Sequence, residues 1–138
     1  MQSVTQQYID RLVTAYPCIT QIWLIGSRAN NTHRPDSDWD YLVWADDNRL
    51  FDVLNQDTSF HDSIIDLLIV IDDEWFAKPW LEPDGLRKKG EVYGPDGLRW
   101  QRTSATEAQY TEAREAEPGS FYVRTQVVKA LLKYRRAK

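Results

Sequence analysis

The chain has one cysteine, one methionine and two histidines in 138 residues. A lone cysteine, Cys18, closes no internal disulfide, and Cys18, His33 and His61 are too few and too scattered for a zinc site. Any metal bound by this chain must therefore be a hard cation held by carboxylates. Long apolar runs are missing too, since none nears the roughly 18 residues of a membrane span, and no membrane partner is expected. The opening MQSVTQQYID lacks a basic segment followed by an apolar one, so a cytoplasmic location is expected.

What is present is ordinary in bulk and uneven in its charge. With 42% hydrophobic and 28% charged residues the sequence describes a globular chain, expected to form a single domain over residues 1–138. The net charge of −4 divides sharply: residues 1–119 carry 11 basic and 21 acidic residues, whereas residues 120–138 carry six basic residues and no acid. That tail could touch nucleic acid, but the body is acidic and the pI is about 5.1. Nonspecific phosphate binding would be weak, and nucleic acid is not expected as a partner.

The chemistry concentrates in residues 22–44, IWLIGSRANNTHRPDSDWDYLVW. An apolar strand runs into a Gly26-Ser27 turn, a polar loop follows, and a second strand opens on Asp38 and Asp40. Carboxylates at i and i+2 of a strand leave the same face, with Trp39 and Tyr41 on the other. Two carboxylates side by side repel unless a cation lies between them, so a divalent-metal site is the first hypothesis. A helix starting after Gly26-Ser27 would aim backbone N–H groups outward, where a phosphate could approach. Arg28 is either a phosphate contact or a solvated charge. Further on, Asp66 interrupts the apolar run Ile64 to Ile71, where a buried carboxylate needs a partner or a metal. An edge strand that turns Asp66 to water is the competing reading.

Other motifs fit less well. Asp36, Asp38 and Asp40 mimic the start of an EF-hand loop, but Tyr41 stands where the loop needs glycine. Ser27 lacks the Gly-x-Ser-x-Gly turn and the positioned histidine of an acyl-transfer nucleophile. Trp23, Trp39 and Trp44 read as core rather than as stacking platforms.

In chain order, Ser3 with Gln6 has the form of a capping box that opens a helix ending before Pro17. Strands are expected at 19–25, 38–44 and 64–71, with a helix carrying Leu50, Phe51 and Leu54 behind Asp46 and Asp47. Asp73 would cap a short helix with Trp75 and Phe76. The repeated Pro-Asp-Gly-Leu-Arg at 83–87 and 95–99 is turn chemistry, and its second copy is expected to join 91–93 to 98–101 as a hairpin. Ser104 with Glu107 suggests a helix to about residue 117, and a last helix is expected from Ser120, apolar on one side and basic on the other.

Taken together, Gly26, Ser27, the Asp38-Trp39-Asp40 pair and the isolated Asp66 make the chain resemble the DNA polymerase β-like nucleotidyltransferase superfamily, over about residues 19–71. Its short length looks most like the minimal nucleotidyltransferases of bacteria and archaea, many of which act as antitoxins that modify a HEPN-domain partner. The resemblance implies an α+β fold, a small mixed β-sheet flanked by helices, to which the reading of 91–138 adds a C-terminal hairpin and two helices. It implies Mg²⁺ at a two-metal site on Asp38, Asp40 and Asp66, with Asp66 also helping to deprotonate the acceptor. Gly26, Ser27 and Arg28 are then the residues expected to hold the phosphates of a nucleoside triphosphate, taken to be ATP. The implied reaction is transfer of a nucleoside monophosphate to a hydroxyl, such as a tyrosine of a HEPN-type partner protein. A non-catalytic antitoxin that occupies its partner is the alternative.

Overall fold

The computed structural model describes residues 3–26, 28–29, 34–47, 49–71, 75–77, 79–80, 92–93, 99–115 and 123–137. Helix α1 spans Val4–Ala15, opened by Ser3, whose hydroxyl accepts from the Gln6 amide at 3.1 Å. The Gln6 side chain, which in a full capping box would accept from the Ser3 amide, points forward instead and donates to Asp10 at 3.0 Å. The apolar stripe of this helix buries Tyr8, Ile9 and Leu12.

Strand β1, Ile19–Ile25, follows the turn at Pro17 and pairs antiparallel with β2, Trp39–Ala45. Helix α2, Leu50–Gln56, buries the expected Leu50, Phe51 and Leu54, and a 3-10 turn at Thr58–Phe60 leads into β3, Ile65–Ile71. The crossover through α2 returns the chain so that β3 lies parallel to β2. Tyr8 donates to the Phe60 carbonyl at 2.6 Å, which ties α1 to the end of that crossover.

Five more strands complete an eight-stranded mixed sheet: β4 at Trp75–Ala77, β5 at Val92–Tyr93, β6 at Arg99–Arg102, β7 at Glu107–Glu115 and β8 at Val123–Arg135. Their order is β5-β4-β3-β2-β1-β8-β7-β6. The α+β class and the mixed sheet with helices are thus as expected. The C-terminal elements are not. The residues read as two helices after Ser104 are the long hairpin β7 and β8, and the residues read as a short helix at Trp75 and Phe76 are β4. The predicted hairpin joining 91–93 to 98–101 does not form either, for β5 pairs with β4 at one edge of the sheet and β6 with β7 at the other. The physical reason lies in β1. Its apolar residues need a second neighbour to satisfy its outer row of backbone groups, and β8 supplies it through Leu131 to Arg135. Helical periodicity is a weak prior against that demand.

Both sheet faces are covered. On one, α1 and α2 pack over Ile22, Leu24, Tyr41, Val43, Leu67 and Ile69. On the other, Trp23, Ile25, Leu42, Leu68 and Val70 meet Ala108 and Ala130. A bulge opposite Ile22 and Trp23 lets β8 serve both faces, with Leu131 and Tyr134 against the helix side and Ala130 and Leu132 against the other. The sheet also curls. Four strand spacings separate β2 from β6, or about 19 Å in a flat sheet, yet the Trp44 and Trp100 rings are 4.6 Å apart, with Trp23 and Trp100 at 5.0 Å.

Replacing Trp100 by Ala should lower unfolding free energy by about 2–4 kcal/mol and remove near-ultraviolet circular dichroism from the coupled indoles; urea titration and the near-ultraviolet spectrum measure the two effects. A second check uses pH. Tyr16 donates to Asp57, and burial together with that bond pushes the Tyr16 phenol up to about 12. A raised phenol contributes stability in full below its unfolded value of about 10, and that contribution is lost as pH climbs through the folded value. The stability gap between wild type and Tyr16→Phe should therefore stay level from pH 6 to 9 and narrow above pH 10, as read by denaturant titration across pH.

Candidate active site

Three strand ends converge at one end of the sheet. Ile25, the last residue of β1, is the register partner of Asp40 in β2, and Asp40 is the register partner of Asp66 in β3. Registered residues on neighbouring strands send their side chains to the same face of the sheet. Asp40 alternates with the buried Tyr41 and Val43, and Asp66 with the buried Leu67 and Ile69, all four on the helix side. Both carboxylates therefore stand on the opposite face, at the end of the column that continues as Leu42 and Leu68. Adjacent strands lie about 4.8 Å apart, which places the two carboxylates within reach of one ligand. Each is half-buried.

Gly26 closes the site on the β1 side. Its φ is +76°, a left-handed conformation that side chains other than glycine rarely adopt, and a Cβ built on it would lie 2.5 Å from Oδ2 of Asp40. The backbone of the turn thus approaches the carboxylate more closely than any larger residue permits. After Gly26 the chain bends to the helix side, where the Ala29 amide donates to the Gly26 carbonyl and Ala29 is buried in the helix-side core.

Arg28 goes the same way. Its guanidinium lies 4.1 Å from the centroid of the Trp39 ring and donates to the carbonyls of Ser37 and Pro35. Trp39 packs against the helix-side core, so these contacts hold Arg28 on the face away from Asp40 and Asp66 and close the loop that leads into β2. The Trp39 amide in turn donates to the Ile64 carbonyl at 2.7 Å, starting the β2–β3 ladder one residue before Asp40. Asp38 lies just ahead of β2 and is exposed. Among the described residues no three His, Cys, Asp or Glu side chains are grouped so as to hold a metal ion. The close pair is Asp40 with Asp66; Ser27 lies outside the described residues. No helix among the described residues is long and apolar enough to cross a membrane.

The spacing Gly-Ser to Asp-x-Asp to a third aspartate was visible in the sequence. The Gly26–Asp40 contact and the Arg28–Trp39 stack were not, because each depends on how β1 and the loop meet β2.

Residues 7–68 match the family model described as Polymerase beta, Nucleotidyltransferase. The matched span takes in α1 from Gln7 onward, all of β1, β2 and α2, and the first residues of β3, and with them Gly26, Asp40 and Asp66. It supports placement in the polymerase β-like superfamily and nucleotidyltransferase activity in general terms. No curated protein and no solved structure matches the chain.

Gly26→Ala should cost about 1–3 kcal/mol, combining the left-handed backbone with the clash at Asp40. In an Asp40→Ala background only the backbone part remains, so the second substitution should be measurably less damaging than the first predicts. A thermal-denaturation double-mutant cycle reads that non-additivity, and strictly additive effects would contradict the contact.

Proposed function

We propose that this chain is a Mg²⁺-dependent nucleotidyltransferase that moves AMP from ATP to a hydroxyl acceptor and releases pyrophosphate. The observation that carries the reading is the direct register of Asp40 with Asp66, on one face, against the side-chain-free Gly26. The donor set suits the ion. Mg²⁺ is commonly bound through one or two carboxylates completed by water and substrate phosphate, and two adjacent carboxylates at an open strand end meet that need, with exposed Asp38 two residues away as a further oxygen donor. When bound there, the ion neutralises charge on the triphosphate and its leaving group.

The chain's own residues do the rest. Gly26, by lacking a Cβ, lets the triphosphate come close to the backbone, and Ser27 supplies a hydroxyl there. Asp40 and Asp66 would hold the cation that offsets their own charge and that of the α-phosphate, so that the two can lie side by side. The acceptor oxygen forms its bond to the α-phosphorus while the bridging bond to the β-phosphate breaks. Its proton passes to an Asp66 oxygen and the electron pair leaves with pyrophosphate. The acceptor in this reading is a tyrosine of a HEPN-type partner protein, and the ATP preference and that partner both follow from the likeness to the minimal nucleotidyltransferases. Arg28 serves the site indirectly, by fixing the loop that delivers Asp38 and Asp40.

One observation favours a second reading. The absence of a three-carboxylate group among the described residues suits a non-catalytic antitoxin that works by occupying its partner. A single comparison separates the two. With Mg²⁺ and α-labelled ATP, wild type should label an acceptor, and Asp38→Asn with Asp40→Asn, or Asp66→Asn alone, should lower labelling on the order of 100-fold or more. Labelling that survives these changes sinks the catalytic reading. Partner neutralisation that survives them, with no labelling in wild type, establishes the second.

A further inference from the structure

Asp38 is the carboxylate of the sequence pattern that the fold leaves outside a strand, exposed and just ahead of β2. Its backbone is nevertheless tied on both sides. The peptide group before it contains the Ser37 carbonyl, which accepts from Arg28 twice, from Nε at 3.2 Å and from Nη2 at 2.9 Å. The peptide group after it carries the Trp39 amide, which donates to the Ile64 carbonyl at 2.7 Å. With both peptide planes held, the Asp38 backbone is set, and its side-chain torsions are the freedom it keeps.

The turn ahead of Asp38 is closed by the same groups. The Ser37 amide donates to the Arg34 carbonyl at 3.0 Å, the Arg34 amide donates to the Ser37 hydroxyl at 2.8 Å, and Nη2 of Arg28 reaches the Pro35 carbonyl at 3.2 Å. Arg28 is held for this by the Trp39 ring, whose centroid lies 4.1 Å from the guanidinium carbon and which packs on the helix-side core. A planar fork that lies on an aromatic face while its edge binds carbonyls is a role lysine does not copy. To meet a phosphate directly, Arg28 would have to leave the ring and both carbonyls. What these contacts order is not core, since Arg34, Pro35, Asp36 and Asp38 are exposed. Fixing exposed backbone costs conformational entropy and gains no burial. The side chain that benefits is Asp38, delivered two residues from Asp40.

We infer that Arg28 and Trp39 are positioning residues for a hard cation: the guanidinium stacked on the indole presets the Asp38 backbone, so that Asp38 joins Asp40 and Asp66 as an oxygen donor already in place. This role rests on the cation site of the transferase reading. It gives the middle residue of Asp38-Trp39-Asp40 two tasks, a ring that seats Arg28 on the helix side and an amide that starts the β2–β3 ladder. Donors placed in advance lose less freedom when an ion arrives, and groups standing behind metal ligands commonly set affinity by about 10–100-fold.

The probe is Mn²⁺ alone, which seeks oxygen donors as Mg²⁺ does, added to the full chain with the free ion counted by electron paramagnetic resonance. Arg28→Lys keeps the charge and loses the fork, and should weaken Mn²⁺ binding about tenfold, as should Asp38→Asn. Added to Asp38→Asn, Arg28→Lys should change affinity by less than about twofold, because it acts through a donor already lost. Trp39→Leu should resemble Arg28→Lys, and Trp39→Phe, which keeps a ring under the guanidinium, should lose less. With no cation present, the Trp39 amide should exchange with solvent about tenfold faster in Arg28→Lys, while the amides of α1 keep their rates. Circular dichroism checks each fold, and if one substitution unfolds the chain the other completes the cycle with Asp38→Asn. Failure of wild type to bind Mn²⁺ overturns the cation site and the positioning role together. Binding in wild type that Arg28→Lys and Trp39→Leu leave unchanged overturns the positioning role and keeps the cation site. An equal loss from Arg28→Lys with Asp38 present or substituted does the same.

Discussion

The parallel pairing of β2 with β3 is the constraint on which the rest depends. Every other strand pair among the described residues is antiparallel. In an antiparallel pair a carboxylate at the start of one strand faces the end of its neighbour. Here both strands start at the same end, so the second residue of each, Asp40 and Asp66, meet side by side. That arrangement requires a crossover, and residues between Ala45 and Ile65 provide it in α2 and the 3-10 turn. β1, running the other way, then delivers Gly26 to the same place. Two strand starts and one strand end share a point because one connection crosses over instead of turning back.

The two faces of the sheet divide the work around that point. The helix side is a continuous dry core in which Leu12, Leu54, Val43 and Tyr41 are nearly or wholly inaccessible. It fixes β1, β2 and β3 against one another and so fixes the register. Among the described residues the other face carries no helix, and the sheet covers it by curling, with Trp100 of β6 folded against Trp23 and Trp44. The indoles sit toward the Gln21 and Trp44 end of the strands, away from Asp40. A large aromatic plug at one end and carboxylates at the other give a face that is closed below and accessible above.

Legibility in the sequence follows the same division. The stripe of α1, the runs of β1, β2 and β3 and the Leu50-Phe51-Leu54 face of α2 were all readable, because each element meets its core in a local period. Asp38, Asp40 and Asp66 stood out as carboxylates in apolar surroundings. The β7–β8 hairpin was not readable. Glu107 to Glu115 has the composition of a helix, and Phe121, Val127, Val128, Leu131 and Leu132 can be drawn as a helical stripe. The demand that overrides this comes from β1, some hundred residues earlier, whose second edge needs a partner. The bulge beside Lys133 also hides the strand period, since it puts Leu131 and Tyr134 on the same face. Arg28 illustrates a similar limit: proximity to Gly26 suggested a phosphate, while the bend at Gly26 carries the arginine to Trp39.

The basic tail takes on a different meaning once β8 is a strand. Among the described residues two of its charges form ion pairs within the molecule, Lys129 with Glu107 at 2.9 Å and Arg136 with Asp46 at 2.8 Å. Arg136 also donates to the Pro17 carbonyl, and its amide to Thr20, so the end of β8 is joined to the residues before β1 and after β2. The Asp46 amide donates to the Cys18 carbonyl at the same end. Exposed ion pairs of this kind contribute about 0–1 kcal/mol each, too little for stability to be their main effect. Their geometry matters more, because they clasp β1, β2 and β8 at the end opposite the carboxylates and hold the β8 register from there. With that end clasped, the excess length of β8 has one direction left, past Leu24 toward the end of the sheet where β1 stops and Asp40 begins its column.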